Sequence, residues 1–240
     1  MVGNISRGAS YLTRGARMLG HPSLRAFVLI PLIINILIFG SLITIGFSYI
    51  SDLMDAMLSS IPSWLDFIQW ILWPLIVITV SLATGYLFTT VALIIASPFN
   101  ALLAEKAEEL ITGQPVNSLE GFGAAVLAIP KSILRELAKL LYYIPMAVFV
   151  LLISFIPGVG AIAWLLLGAW MMSIQFVDYP MDNNQLSFAD VKEAVRRRRL
   201  SSMGFGGLVA LCASIPLVNF FVVPAAVVGA TLLWCEELNQ

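Results

Sequence analysis

Charge is what this 240-residue chain has least of: 11% of its residues are Asp, Glu, Lys or Arg, while 60% are hydrophobic and the mean hydropathy is +0.94. A soluble domain carries about 25% charged residues because its surface faces water. So few charges cannot cover a globule of this size, and lipid must replace water over much of the surface. Histidine is almost absent too. The single His21 excludes Ser-His-Asp triads and multi-histidine metal sites. Cys212 and Cys235 lie in apolar stretches with no C-x-x-C pair, so they read as small buried hydrophobes rather than a disulfide or metal ligands. No G-x-x-x-x-G-K-[ST] loop is present, which argues against nucleotide hydrolysis by this chain. Gly204-Phe205-Gly206-Gly207 opens an apolar helix instead of following a strand, so it is no phosphate loop. No catalytic residue, metal or cofactor is expected, and the chain does not read as an enzyme. The first apolar run, 25 residues without an A-x-A-like site after it, is too long for the h-region of a cleaved signal peptide.

The charges that exist are segregated. All 13 Lys and Arg fall at 7–25, Lys106, 131–139 and 192–199, leaving 26–105 and 140–191 without a basic side chain. In residues 1–20, Ile5, Ala9, Leu12, Ala16 and Leu19 share one helical arc and Arg7, Arg14 and Arg17 the opposite one. That pattern predicts an amphipathic helix lying on the membrane surface with its arginines towards headgroups. Residues 26–50 follow as a transmembrane helix, about 37 Å long at 1.5 Å per residue. Residues 64–97 form a second, edged by Trp64, Trp70 and Trp73 as an interfacial belt. Ser81, Gly85 and Thr89 repeat every four residues, a spacing that permits close helix packing. Ser97 and Pro98 read as the cap and first position of a new helix in an amphiphilic segment, 98–139, interrupted near Gly113 and at Pro130.

The region 140–177 is broken by Ile156-Pro157-Gly158-Val159-Gly160, with about 13 apolar residues before the break, and 203–235 is broken by Pro216 and Pro224. Halves so short predict two re-entrant hairpins; two kinked spans per region, six crossings in all, are the alternative. Between the hairpins, a basic helix at 187–202 begins with a capping box, Ser187 and Asp190. Either crossing number is even, so every basic segment lies on one side, and the positive-inside tendency makes that side cytoplasmic. The expected fold is therefore all-α and integral to the membrane, one domain over 1–240, with a surface amphipathic helix, two long transmembrane helices and two Pro/Gly-broken hairpins.

Polar side chains collect at the expected membrane boundaries. Asn35 stands alone inside the first span. At His21-Pro22-Ser23-Leu24-Arg25, Pro22 ends one helix and Ser23 can cap the next, so free N–H groups and a guanidinium meet at a helix start suited to an anion. Asn100 with Glu105 forms a second cluster, and Asp178, Asp182 and Asn183 a third. Carboxylates beside an anion path must be paired, and Arg135 and the run Arg196–Arg199 are available for that. The run itself reads as a positive-inside anchor against anionic lipid, not as a nucleic-acid site.

These motifs resemble the bacterial CysZ-type sulfate permeases over nearly the whole chain. The matching segments are Pro22-Ser23-Leu24-Arg25 leading into Phe27-Val28-Leu29-Ile30-Pro31-Leu32 and Asn35, then Trp73-Pro74-Leu75, and Pro98-Phe99-Asn100 with Leu102-Leu103-Ala104-Glu105. Phe155–Gly160, Asp178-Tyr179-Pro180 with Asp182-Asn183, and Phe205-Gly206 continue the match. The resemblance implies inner-membrane sulfate uptake for sulfur assimilation and cysteine synthesis, by a homo-oligomer in the bilayer. It implies sulfate bound at Ser23, Leu24 and Arg25, where Ser23 replaces a glycine and Ala26 a frequent second arginine. A membrane-shaping scaffold whose hairpins wedge one leaflet is the rival from another class.

Overall fold

The computed structural model describes residues 2–58, 69–116 and 129–239, and for several helical residues, chiefly between 35 and 97, the backbone alone. The described residues form α1 (Ile5–Met18), α2 (Pro22–Leu58), α3 (Gln69–Thr112), α4 (Ile129–Ile153), α5 (Val159–Asn183), α6 (Phe188–Arg197), α7 (Arg199–Ala213) and α8 (Pro216–Leu233). A π-helical turn, Trp234–Leu238, closes the chain. No strand occurs among the described residues. The protein is all-α, and its long apolar helices make it an integral membrane protein.

Two units divide the chain. One, Leu29–Ser97, holds the greater parts of α2 and α3; the other combines Met1–Val28 with Pro98–Gln240. The proline expected to start a new helix at 98 does not. Helix α3 runs through Pro98, and the proline instead marks where it passes from one unit to the other. The lost N–H bond costs about 3 kcal/mol in an isolated helix; burial of Pro98, Phe99 and Leu102–Glu105 just beyond it offsets that here. The expected start of the second span at Trp64, and residues 117–128 of the segment after it, lie outside the described residues.

The second unit has a true core. Helix α1 packs on α7 and α8, and α5 packs on α4, α7 and α8. Close approach depends on glycine: a Cβ at Gly8 would overlap the Ser201 carbonyl, and one at Gly206 the Ala169 carbonyl. Into the resulting crossings fit Tyr11, Leu24, Ile174, Phe205, Val227 and Leu233, all fully buried. The buried face of α1 is thus Gly8, Tyr11, Leu12 and Gly15, rotated from the arc that aliphatic side chains alone define, and Ile5 stays exposed. Arg7 and Arg14, assigned from sequence to lipid headgroups, also pair with Glu237 and Glu236, with the arginine side chains 58% and 39% exposed.

The broken region 140–177 also changes on inspection. Helix α4 carries the charged turn Lys131–Lys139 with it, so the arm before the break has 25 residues rather than 13, and α5 after it has 25. Both are long and apolar enough to cross a membrane by length and composition. Gly158, at φ 79°, makes the turn between them. Helix α7 is short, at 15 residues, but α8 runs unbroken through Pro224, where a break was expected, and Val218–Leu238 is long and apolar enough to cross a membrane by length and composition. The capping box at Ser187 forms as expected: the Ser187 hydroxyl accepts from the Asp190 N–H, and the Asp190 carboxylate accepts from the Ser187 N–H at 2.8 Å.

Candidate functional site

The polar heart of the protein is a ladder of charges between α4 and α5. Lys131, Arg135 and Lys139 follow one another at four-residue steps on α4, hence on one face. Asp178 and Asp182 do the same on α5, and the antiparallel arms bring the two rows together. The Arg135 guanidinium donates from Nε to Asp178 Oδ1 at 2.7 Å, and from Nη1 to Asp182 Oδ1 at 2.7 Å and the Leu186 carbonyl at 2.8 Å. Lys139 Nζ lies 2.8 Å from Asp178 Oδ2 and 2.7 Å from Glu136 Oε1. It also donates to Gln175 Oε1 at 3.4 Å. Lys131 reaches Asp182 at 3.3 Å from the exposed end. The inner rungs are buried: the side chains of Arg135, Lys139 and Asp178 are 11%, 5% and 6% exposed. Stripping water from such ions is affordable only because each faces an opposite charge.

Around this ladder the neighbouring helices close. Asn183 Nδ2 donates to the Ala101 carbonyl on α3 at 2.8 Å. Asn100 Nδ2 approaches the Tyr179 hydroxyl at 3.5 Å, a long contact. Lys139 stands 5.9 Å over the Tyr179 ring. Two turns further along α3, Asn184 donates Nδ2 to both carboxylate oxygens of Glu108 at 3.0 Å. Burial pushes the Glu108 carboxyl above the usual carboxylate range, against the Asn184 hydrogen bond. Glu105 is also buried, with Lys106 3.8 Å away.

Of the residues singled out by sequence, Arg135, Asp178, Asp182, Asn183 and Asn100 therefore meet in one place. Glu105 sits on the same stretch of α3 without joining the ladder. Asn35 lies on α2, its side chain outside what the structure describes. The cations that neutralise the carboxylates are Lys131, Arg135 and Lys139, so Lys131 and Lys139 were missed. Their spacing was the signal: three basic residues at i, i+4 and i+8 entering an apolar run, answered by two acids at i and i+4 leaving it. Glu108 with Asn184 was missed as well, because nothing local marks a carboxylate whose partner is 76 residues away.

The second candidate site is the corner between α1 and α2. Helix α2 starts at Pro22, so Ser23 occupies the first turn instead of capping it. The Ser23 N–H meets His21 Nδ1 at 3.3 Å. Leu24 is fully buried in the core and anchors the corner. Arg25 is exposed and donates Nε to the Gly20 carbonyl at 2.9 Å. That bond holds the guanidinium through its Nε.

Comparison with known proteins covers the same stretch of chain. The family model described as Sulfate transporter CysZ/Etoposide-induced protein 2.4 matches residues 11–224. The chain belongs to this family. Curated relatives named Sulfate transporter CysZ include one from Pseudomonas paraeruginosa, 42% identical over 97% of this chain and 96% of its own length. Those from Vibrio cholerae and Pectobacterium atrosepticum are 41% and 40% identical over 97% of this chain, covering 94% and 86% of their own lengths. Both candidate sites fall inside the matched range.

Proposed function

We propose that this protein carries sulfate across the bacterial inner membrane into the cytoplasm, where it feeds sulfur assimilation and cysteine synthesis. The observation that carries the reading is the match along 97% of the chain to proteins named as sulfate transporters. The geometry supports it. Sulfate is doubly charged and strongly hydrated, and a bare apolar path would exclude it. Arg25, exposed and braced against Gly20, gathers the anion at the α2 N-terminus with Ser23 and Leu24, where the helix dipole adds to the guanidinium charge. The ladder then offers cations whose carboxylate partners a passing anion can replace one at a time, with Asn100, Asn183, Glu105 and Asn35 as further path residues.

The basic segments face the cytoplasm in this reading, and the chain works as a homo-oligomer. The span from Lys139 to Ile153 covers 14 steps on α4, about 21 Å, which is short of the roughly 30 Å apolar core. With Lys139 held at the boundary, the exposed Phe155 and Ile156 at the tip stay within lipid, which supports a hairpin entering part-way. The 15-residue α7 supports the same for 203–235. Transport, not catalysis, is the activity assigned.

Uptake of radiolabelled sulfate into proteoliposomes tests the proposal. Wild type should exceed empty vesicles, and Arg25→Ala should lower uptake at least several-fold at equal insertion. Wild-type uptake no higher than that of empty vesicles, under inward sulfate gradients with and without a proton gradient, would reject transport. Uptake unchanged by Arg25→Ala would reject the corner as its anion site.

A further inference from the structure

Most cations of the described structure are already neutralised within it. Arg7 and Arg14 meet Glu237 and Glu236, Lys106 meets Glu109, the ladder holds Lys131, Arg135 and Lys139, and Arg197 reaches Glu193 at 3.2 Å. Arg196 and Arg199 pair with no carboxylate among the described residues. Both stand where α6 gives way to α7, inside four consecutive arginines.

That junction is built to keep them outside. Val191 and Val195 are fully buried, and the next positions on that face are 198 and 199. A straight helix would drive an arginine into the core. The chain instead breaks at Arg198, φ −109° and ψ 39°, and restarts at Arg199, so that the buried face resumes at Ser201, Ser202 and Phe205. Arg196, Arg197 and Arg199 remain exposed.

The N-terminal segment is fastened beside them. The Leu200 N–H donates to the Val2 carbonyl at 3.0 Å, and the Asn4 N–H to Ser201 Oγ at 2.9 Å. Gly204 lies so close to Ile5 that a Cβ would overlap the Ile5 carbonyl. Three exposed aliphatic residues therefore lie beside the junction that carries these arginines: Val2, Ile5 and Leu200, at 43%, 56% and 38% exposure. Water favours the arginines and disfavours the aliphatics. The boundary between headgroups and acyl chains suits both. Phosphate oxygens accept from guanidinium in bidentate fashion, and the aliphatics meet hydrocarbon just below.

We propose that Arg196 and Arg199, together with Val2, Ile5 and Leu200, form a docking site for an anionic phospholipid. The headgroup phosphate lies on the two guanidinium groups, and the start of an acyl chain lies on the three aliphatics. The assignment is independent of the transported substrate. Each arginine should strengthen binding about five-fold, and the pair about thirty-fold.

Full-length protein in detergent micelles would be titrated with dioleoyl phosphatidylglycerol, dioleoyl phosphatidylcholine or sodium sulfate, reading thermal unfolding and the lipid retained in native mass spectra. Phosphatidylglycerol should raise the unfolding temperature of wild type and stay bound, and phosphatidylcholine should do neither. Arg196→Gln with Arg199→Gln should weaken the phosphatidylglycerol response about thirty-fold while unfolding as wild type does in phosphatidylcholine. Lysine at both positions should keep most of the response. Should the double glutamine variant fail to fold, each single variant should lose about five-fold. A phosphatidylglycerol response unaltered by glutamine at these positions overturns the proposal. So does a sulfate-induced shift equal to that of the lipid, which would make the patch a site for free anions.

Discussion

Two regions of the molecule are similarly apolar and use that apolarity in opposite ways. Among the described residues, none of an apolar eighteen-residue stretch within Pro22–Gly46 is buried, whereas 67% of such a stretch within Val218–Leu238 is buried within the protein. Both qualify as membrane spans by length and composition. What differs is side-chain size. On α2, Leu29, Ile33, Ile36, Leu37 and Phe39 project outward and exposed. On α8, Ala225, Ala226 and Ala230 are buried and Gly229 lies against α1. Hydropathy reports that a side chain avoids water; it does not say whether lipid or protein takes the place of water. Small residues that lie against a neighbouring backbone, as Gly229 does, do say, because without water between helices, association depends on how closely backbones approach.

The sharpest way to break that comparison is to add a methyl group in each region. At Gly206 the new Cβ meets the backbone of Ala169 and Ser173, and at Gly8 that of Ser201. Neither neighbour can rotate away. Gly206→Ala or Gly8→Ala should therefore cost more than about 4 kcal/mol, in the tail reserved for such collisions, and little folded protein should survive detergent extraction. Around Gly40 and Gly85 a Cβ would meet open space. Alanine there should be neutral or stabilise by about 0.4–1 kcal/mol. Thermal unfolding of the four variants checks the contrast, and similar losses in both regions would mean that size does not separate them.

Next in size is the ladder, the charged counterpart of the same contrast. Arg135→Ala leaves Asp178 and Asp182 without their shared partner and should cost roughly 3–5 kcal/mol. Asp182→Asn, at the more exposed rung, should cost roughly 1 kcal/mol or less. Equal losses from the two would show that the inner rung is not desolvated in the folded protein.

How much of this was legible beforehand follows from the range of each interaction. The all-α membrane class, the capping box at Ser187 and the pairing of Arg135 with carboxylates needed only composition, local spacing or the cost of a buried charge. The rotated face of α1 was not legible, because Gly8 and Gly15 contribute through what they lack and Tyr11 through contacts with Glu236 and Glu237 near the far end of the chain. The arm before the break was counted as 13 residues because the charged helix from Pro130 to Lys139 was read as leading into the hairpin rather than as part of it, although its charges are satisfied by a facing helix. Pro98 was read as a boundary of secondary structure and is a boundary between units.

The smallest expected effect concerns Glu108, a carboxylate on the buried stretch of α3 with no Lys or Arg paired to it among the described residues. Asn184 donates a hydrogen bond to it, at 3.0 Å to each oxygen. Burial disfavours the charged form and raises the carboxyl above its ordinary value. The folded protein then holds this proton more tightly than the unfolded chain does. Its contribution to stability is present in full below the ordinary carboxylate pKa and is lost as pH rises through the raised value. Glu108→Gln keeps an oxygen for Asn184 and cannot ionise. Wild type should therefore lose more thermal stability than Glu108→Gln as pH rises from about 4 to 8, the two curves drawing together at the acid end. Parallel curves would mean that Glu108 ionises in the folded protein as readily as in the unfolded chain. The buried part of α3 would then be wetter than its packing implies, unlike both the core and the lipid-facing region.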